Sequence, residues 1–179
     1  ANPAHLAVFK KALCADGAPQ IVSKIETQGA LDCLREIVEA SDALMIDRGD
    51  LSVQTSVEQV TLLQKRILSE SRRAARPAIV ATEMLHSMIA SPAPTKAEVS
   101  DISNAVLDGA SSLMLSAETA IGRYPVEAVA LMRRVADAVS DHLKDSLDRE
   151  HNAAGTGSVP HAMEDAIAQG KRLAEKLRA

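Results

Sequence analysis

Residues 43–85 read ALMIDRGDLSVQTSVEQVTLLQKRILSESRRAARPAIVATEML, and this stretch contains the pattern that decides the fold. Ala43–Ile46 and Ala78–Ala81 are short apolar runs that predict strands, and polar residues follow each of them. Between the two runs, apolar residues recur from Val57 to Ile67 at the spacing of one helix face, which predicts an amphipathic helix. A strand, a helix and a second strand in this order predict a βα unit with parallel strands.

The same rhythm continues on both sides of this stretch. We predict two further strands, at Ile21–Ile25 and Leu113–Leu115, which gives four in all. A closed βα barrel needs eight strands, so four correspond to an open sheet, to half of a barrel, or to a barrel shared between two chains. Further helices are predicted at residues 3–15, 31–40 and 98–108, and from Pro125 onward.

The pattern changes after residue 143. Residues 144–160 are polar and end in GTGSVP, which is typical of a linker. Residues 161–179 then predict a C-terminal amphipathic helix, with apolar side chains from Met163 to Leu177 on one side. We therefore expect three parts: a βα unit at residues 1–143, a linker at 144–160 and a helix at 161–179.

Composition excludes several classes of function. The net charge is −4 and the aromatic residues are Phe9 and Tyr124, so a nucleic-acid partner is not expected. The sequence has no apolar run of about 18 residues, so no membrane association is expected. It also lacks the pattern of a signal peptide at its start, and Cys14 and Cys33 are isolated. We expect a cytoplasmic protein with reduced thiols.

Polar residues follow all four predicted strands, and in a parallel βα fold the chemistry occurs at these carboxyl ends. Lys24 and Glu26 lie two apart on the first strand, so their side chains point to the same side. Glu26 and Asp50 follow neighbouring strands, and their oxygens suit Mg²⁺ or Mn²⁺. Gly49 permits a close approach of the backbone, so the amides of Gly49 and Asp50 are candidates for holding an anionic group.

The strand-end motifs, taken together, resemble the pyruvate kinase family in the family's own order, over roughly residues 19–143. The motifs are S-K-I-E at 23–26, R-G-D-L at 48–51, A-T-E-M-L-H-S-M-I at 81–89, S-P-A-P-T-K-A-E to D-G at 91–109, and M-L-S-A-E-T-A-I-G-R-Y-P at 114–125. The resemblance implies an α/β fold that forms the second half of a TIM-type (β/α)8 catalytic barrel, followed by a C-terminal helix.

The resemblance also implies roles for individual residues. Glu26 and Asp50 would bind the divalent ion, Mg²⁺ or Mn²⁺, that bridges phosphoenolpyruvate. Lys24 would stabilise negative charge on the transferred phosphoryl group and on the enolate. Gly49, Asp50 and Thr82 would hold the substrate carboxylate, and Thr82 would also lie near the carbon that is protonated. Lys24 and Thr82 are thus the expected catalytic residues.

Two departures from the family pattern add negative charge near an anionic substrate. The family usually has an uncharged residue in place of Asp47 and a glutamine in place of Glu83. Each extra carboxylate is expected to weaken phosphate binding unless a metal or lysine offsets it. The family's K⁺ ligands and most of its nucleotide-binding residues would precede this chain. Binding of ADP or ATP by this chain alone is therefore not expected, and neither is activity of the isolated chain.

Three functions remain open from the sequence. The first is a pyruvate kinase or pyruvate kinase-like phosphotransferase, in which this chain supplies the metal and phosphoenolpyruvate side. The second is an Mg²⁺-dependent lyase or enolising enzyme that acts on pyruvate. The third is a catalytically degenerate half-barrel that binds a partner. A half-barrel also leaves two unpaired sheet edges, so we expect a second copy, or another chain carrying a half-barrel, to complete it. The alternative is that the predicted helix from Met163 to Leu177 folds back over the open face of the sheet.

Overall fold

The computed structural model describes residues 2–13 and 19–153. Its centre is a sheet of four parallel strands that are adjacent in the order in which they occur in the sequence. The strands are β1 (Val22–Ile25), β2 (Ala43–Asp47), β3 (Ala78–Ala81) and β4 (Ser112–Met114). The α/β class with parallel βα units is thus confirmed, and each predicted strand differs from the observed one by no more than one residue at either end.

Eight α-helices are present in the described residues. They are α1 (Pro3–Ala12), α2 (Gln28–Asp32), α3 (Leu34–Ala40), α4 (Arg48–Gln54), α5 (Val57–Arg73), α6 (Lys96–Leu107), α7 (Ala117–Ala120) and α8 (Pro125–Ala153), with a 3-10 turn at His86–Ile89. Among these described helices, none is long and apolar enough to cross a membrane.

Helix α6 begins two residues before the predicted position because Thr95 caps it. The Thr95 hydroxyl accepts a hydrogen bond from the amide of Glu98, and the Glu98 carboxylate accepts one from the amide of Thr95. This reciprocal capping box satisfies two amides that the first turn of a helix leaves without partners. A threonine followed three residues later by glutamate is therefore the start signal here.

Helix α8 extends further than the sequence pattern predicted. It ends at Ala153, so residues 144–153 of the expected linker are helical. This part of the chain contains no glycine or proline, and Gly155 and Pro160 come only later. Polar composition alone does not end a helix, because its exposed faces tolerate charged residues. The rest of the expected linker and the helix expected at 161–179 lie outside the described residues, and the division into three parts stays a prediction.

The two faces of the sheet have different surroundings. Ile25, Leu44, Ile46 and Val80 are fully buried and form the core between the sheet and the helices. The opposite face is less covered by the described residues: Val22 is 44% exposed, and Met45, Ile79 and Met114 are half-buried. Lys24 pairs in register with Met45. Because side chains alternate along a strand, Lys24, Met45 and Asp47 all belong to this open face.

The chain turns tightly after α7, where Gly122 donates a backbone hydrogen bond to the carbonyl of Ala117 at 3.0 Å. A Cβ atom at position 122 would lie 2.1 Å from the carbonyl oxygen of Glu118. No side chain fits at that distance, so the backbone of this turn must move if Gly122 is replaced. Gly29, in α2, differs because a Cβ there would have no atom within 4 Å.

We expect Gly122→Ala to lower the free energy of unfolding by about 1–3 kcal/mol, because the added methyl group clashes with rigid backbone. Gly29→Ala is the matched control, and we expect it to be neutral or stabilising by up to about 1 kcal/mol, since alanine favours a helix. Urea unfolding followed by circular dichroism measures both. Equal stability of the two variants would contradict the steric argument.

Candidate active site

An ion cluster lies where β1 and β2 end. The Lys24 ammonium Nζ is 2.7 Å from Glu26 Oε2, 3.0 Å from Asp47 Oδ2 and 3.6 Å from Asp50 Oδ2. Lys24 and Glu26 therefore share one side of the chain, as their spacing predicted. The pair of Glu26 and Asp50 that the sequence placed on neighbouring strand ends is also brought together around the same ammonium.

Helix α4 positions the second half of this cluster. It begins at Arg48, immediately after β2, and Asp47 is its N-cap residue. The carboxylate oxygen Oδ1 of Asp47 accepts a hydrogen bond from the amide of Asp50 at 3.4 Å. This sharp change from strand to helix keeps Asp50 within reach of Lys24 instead of letting the chain continue away from the sheet edge.

The cluster contains more negative than positive charge. The carboxylates of Glu26 and Asp47 raise the pKa of Lys24 above its ordinary value, so Lys24 remains an ammonium ion at neutral pH. Burial alone would raise the pKa of Asp47, but Lys24, the amide of Asp50 and the hydroxyl of Thr82 together lower it. Asp47 is therefore ionised at neutral pH, even though it is only 9% exposed.

The residues present fit a divalent cation. Glu26, Asp47 and Asp50 each offer one carboxylate oxygen, and these three oxygens lie within 4.8 Å of one another. Carboxylate oxygens are the ligands that Mg²⁺ prefers, and Mg²⁺ usually takes few protein ligands and leaves other positions for water and substrate. The sequence identified Glu26 and Asp50 as ligands, and the geometry adds Asp47 as a third oxygen donor nearby.

Thr82, at the end of β3, joins the cluster through Gly49 and Asp47. Its hydroxyl oxygen accepts a hydrogen bond from the amide of Gly49 at 2.9 Å and lies 3.3 Å from Asp47 Oδ1. The amides of Gly49 and Asp50, which the sequence offered to an anionic ligand, thus donate to side chains of the protein itself. A Cβ atom at Gly49 would be 3.6 Å from the Thr82 hydroxyl, which is ordinary contact.

Arg48 supports the site, and sequence reasoning gave it no role. Thr82 and Glu83 have φ angles of 67° and 56°, a left-handed conformation that is uncommon outside glycine. The Arg48 guanidinium donates hydrogen bonds to the carbonyls of Thr82 at 2.8 Å and Glu83 at 3.1 Å. It also pairs with both carboxylate oxygens of Asp101 on α6, at 2.6 and 2.8 Å. In the sequence, the signal for this role was an arginine placed directly after a predicted strand.

The polar residues after β4 do not join the ion cluster. Glu118 is buried, and its carboxylate accepts hydrogen bonds from the amides of Leu85 at 3.1 Å and Ser116 at 2.9 Å. Burial acts to raise its pKa, but these backbone donors hold the pKa below its ordinary value. Thr119 donates its hydroxyl hydrogen to the carbonyl of Ser116. These residues therefore tie the end of β4 to the segment after β3.

We expect Arg48→Lys to lower the free energy of unfolding by about 1–3 kcal/mol. Lysine cannot make the forked contacts that a guanidinium makes, so the carbonyls of Thr82 and Glu83 and the carboxylate of Asp101 would lose donors. Arg133→Lys is the matched control, since Arg133 pairs with Asp137 on the exposed surface of α8; we expect a change within about 0.5 kcal/mol. Urea unfolding of both variants is the measurement, and a destabilisation no larger for Arg48→Lys would disprove this role of the guanidinium.

Comparison with known proteins shows which family this chain resembles in sequence. The family described as "Pyruvate kinase, barrel domain" matches residues 8–129. "Pyruvate kinase 2" of Synechocystis sp. is 40% identical over 179 residues, which cover 99% of this chain and 29% of that protein. "Pyruvate kinase" of Methylorubrum extorquens is 50% identical over 138 residues, 77% of this chain and 28% of that protein. "Pyruvate kinase" of Thermotoga maritima is 48% identical over 124 residues, 69% of this chain and 27% of that protein.

The chain thus spans less than a third of the length of these relatives. The matched region contains β1 to β4 and every residue of the ion cluster. The sequence similarity and the parallel βα sheet together show that the chain belongs to the pyruvate kinase family and corresponds to part of its barrel domain.

Proposed function

We propose that the carboxyl ends of β1, β2 and β3 form the metal and phosphoenolpyruvate side of a site for phosphoryl transfer between phosphoenolpyruvate and ADP. The observation that carries this proposal is the convergence of Glu26, Asp50, Lys24 and Thr82 on one end of the sheet. The relatives are named pyruvate kinase, and the proposal extends that activity to the site in this chain. A cytoplasmic location belongs to the proposal as well.

Each residue has a task in this proposal. Glu26 and Asp50 would hold Mg²⁺ or Mn²⁺, which when bound neutralises charge on phosphoryl and enolate oxygens. The Lys24 ammonium would stabilise the transferred phosphoryl group and the enolate, and its raised pKa keeps it charged for that purpose. The Thr82 hydroxyl and the backbone at Gly49 and Asp50 would hold the substrate carboxylate. ADP and K⁺ would be bound by parts of the barrel other than the described residues.

We expect the parent chain to bind Mn²⁺, and the double variant Glu26→Gln with Asp50→Asn to bind it at least about tenfold more weakly. The reason is that amide oxygens carry no net charge to attract the cation. The measurement is the electron paramagnetic resonance signal of free Mn²⁺. A control double variant, Glu127→Gln with Asp141→Asn, removes the same charge from the exposed surface of α8. Equal weakening in both double variants would reduce the effect to net charge and refute the site.

A second candidate function is an Mg²⁺-dependent enolising enzyme or lyase that acts on pyruvate. The excess of negative charge around Lys24, to which Asp47 contributes, favours it, because a phosphoryl ligand is repelled more strongly than pyruvate. Titration with ADP in the presence of phosphoenolpyruvate separates the two candidates, since the enolising enzyme would ignore ADP. Loss of metal binding altogether would favour a degenerate half-barrel.

We further propose that a second copy of the chain covers the open face of the sheet. Within the described residues, β1 and β4 each have one strand neighbour, so each presents one unpaired edge. The open face also exposes apolar side chains, among them Val22 and the partly buried Met45. Two four-stranded sheets provide the eight strands of a closed barrel and pair both edges at once.

Sedimentation equilibrium at micromolar concentration tests the second copy, and we expect a species of twice 18.9 kDa. Val22→Lys, at the exposed end of β1, is expected to shift the equilibrium toward the monomer, because it places a charge in the apolar contact. Val53→Lys is the control, since Val53 is 79% exposed on α4. A single species of 18.9 kDa would overturn the proposal, and a stable complex with a different polypeptide would assign the covering role to that partner.

A further inference from the structure

Asp47 occupies a position in the cluster that an anionic ligand would otherwise take. We propose that the fixed negative charge of Asp47 favours the binding of divalent cations. The same charge favours anions of single charge, such as pyruvate, over phosphorylated ones. This inference rests on the proposed function, because it concerns which ligands the same site accepts.

The two carboxylate oxygens of Asp47 lie against Lys24, the amide of Asp50 and the Thr82 hydroxyl. Oδ2 lies 3.0 Å from the Lys24 ammonium, and Oδ1 lies 3.3 Å from the Thr82 hydroxyl and 3.4 Å from the amide of Asp50. Lys24, Thr82 and the backbone at Asp50 are the groups that the proposed function assigns to the anionic substrate. Asp47 thus satisfies, from within the protein, two of the donors that the substrate needs, Lys24 and the amide of Asp50. The Thr82 hydroxyl has a closer acceptor in the Ala81 carbonyl, at 2.7 Å.

The Asp47 carboxylate is also held in place. It is 9% exposed, and its position as the N-cap of α4 fixes it between the end of β2 and the first turn of that helix. A carboxylate on a flexible surface chain could move into water when an anion arrives. Asp47 would instead have to break its capping contact, so an incoming anion meets a fixed like charge close to its own binding groups.

This placement has opposite consequences for cations and anions. For a divalent cation, Asp47 adds a third carboxylate within 4.8 Å of those of Glu26 and Asp50, which strengthens attraction. For an anion, it adds repulsion that grows with the charge of the ligand. Phosphoenolpyruvate carries a phosphate as well as a carboxylate, whereas pyruvate carries only the carboxylate. Repulsion by Asp47 therefore discriminates against phosphoenolpyruvate more than against pyruvate.

Glu83 provides the matched comparison. It is a further carboxylate at the same end of the sheet, next to Thr82, but it is exposed to solvent. Water and salt screen an exposed charge, so its effect on a bound ligand is small. If the contacts of Asp47 set the ligand preference, removing the charge of Asp47 and removing the charge of Glu83 have different effects. If only total charge matters, the two removals have the same effect.

The experiment compares the full chain with Asp47→Asn and with Glu83→Gln. Asparagine keeps the size of the side chain and an oxygen that caps α4, and it removes only the charge. Mn²⁺ binding is measured by electron paramagnetic resonance, and phosphoenolpyruvate and pyruvate are then titrated at saturating Mn²⁺ by isothermal titration calorimetry. For Asp47→Asn we expect about tenfold weaker Mn²⁺ binding and an increase of about tenfold in the ratio of phosphoenolpyruvate affinity to pyruvate affinity. For Glu83→Gln we expect changes below about threefold.

An unchanged affinity ratio in a folded Asp47→Asn variant would overturn the inference, and so would equal shifts in the two variants. If circular dichroism shows that Asp47→Asn does not fold, Asp47→Ser, which retains a capping hydroxyl, takes its place with the same expected results. The same measurements distinguish this inference from the proposed function. A parent chain that binds no Mn²⁺ would disprove both. A parent chain that binds Mn²⁺, with no effect of Asp47→Asn, would disprove this inference alone.

Discussion

The candidate site depends on the ion pairs that the Lys24 ammonium makes with three carboxylates. Three carboxylates that lie within a few ångströms of one another repel, and a single positive charge among them makes their proximity possible. Lys24 reaches all three because it stands on β1 with Glu26 two residues later, while Asp47 and Asp50 come from the end of β2 and the start of α4. The parallel register of β1 and β2 is what places these residues side by side.

A second cation organises the neighbouring part of the site. Arg48 follows Asp47 in the sequence but points elsewhere, because it is bound to the turn after β3 and to Asp101 on α6. Two consecutive residues in the left-handed conformation cost of order 1–3 kcal/mol each, and contacts to Arg48 help to offset that cost. The same turn presents the Thr82 hydroxyl to Gly49. Lys24 thus holds the three carboxylates of the site together, and Arg48 stabilises the turn after β3 that carries Thr82.

Most of this fold was predictable from the sequence because it follows from local patterns. Short apolar runs between amphipathic helices identified all four strands, and alternation along β1 placed Lys24 beside Glu26. The contacts of Arg48 were not predictable, because Asp101 lies 53 residues away and only the packing of α6 brings it near. The end of α8 was misjudged for the opposite reason: a polar stretch resembled a linker, but it contained nothing to break the helix. For Asp47 the sequence showed an unusual charge, and only the structure showed which donors it occupies.

The location of the site relative to the open face links binding to assembly. Lys24 and Asp47 stand on the face of the sheet that the described residues cover less, and the side chain of Lys24 is 45% exposed. In this open state, water screens the ion pairs that Lys24 makes with Glu26 and Asp50 more than its pair with the buried Asp47. A second half placed over the face would exclude that water and lower the local dielectric constant, which strengthens attraction for a cation and repulsion among the carboxylates alike. An excess of negative charge that is tolerable in the open sheet becomes costly in the closed one. A divalent cation would remove that cost, so in the proposed two-copy barrel cation binding and closure would favour each other.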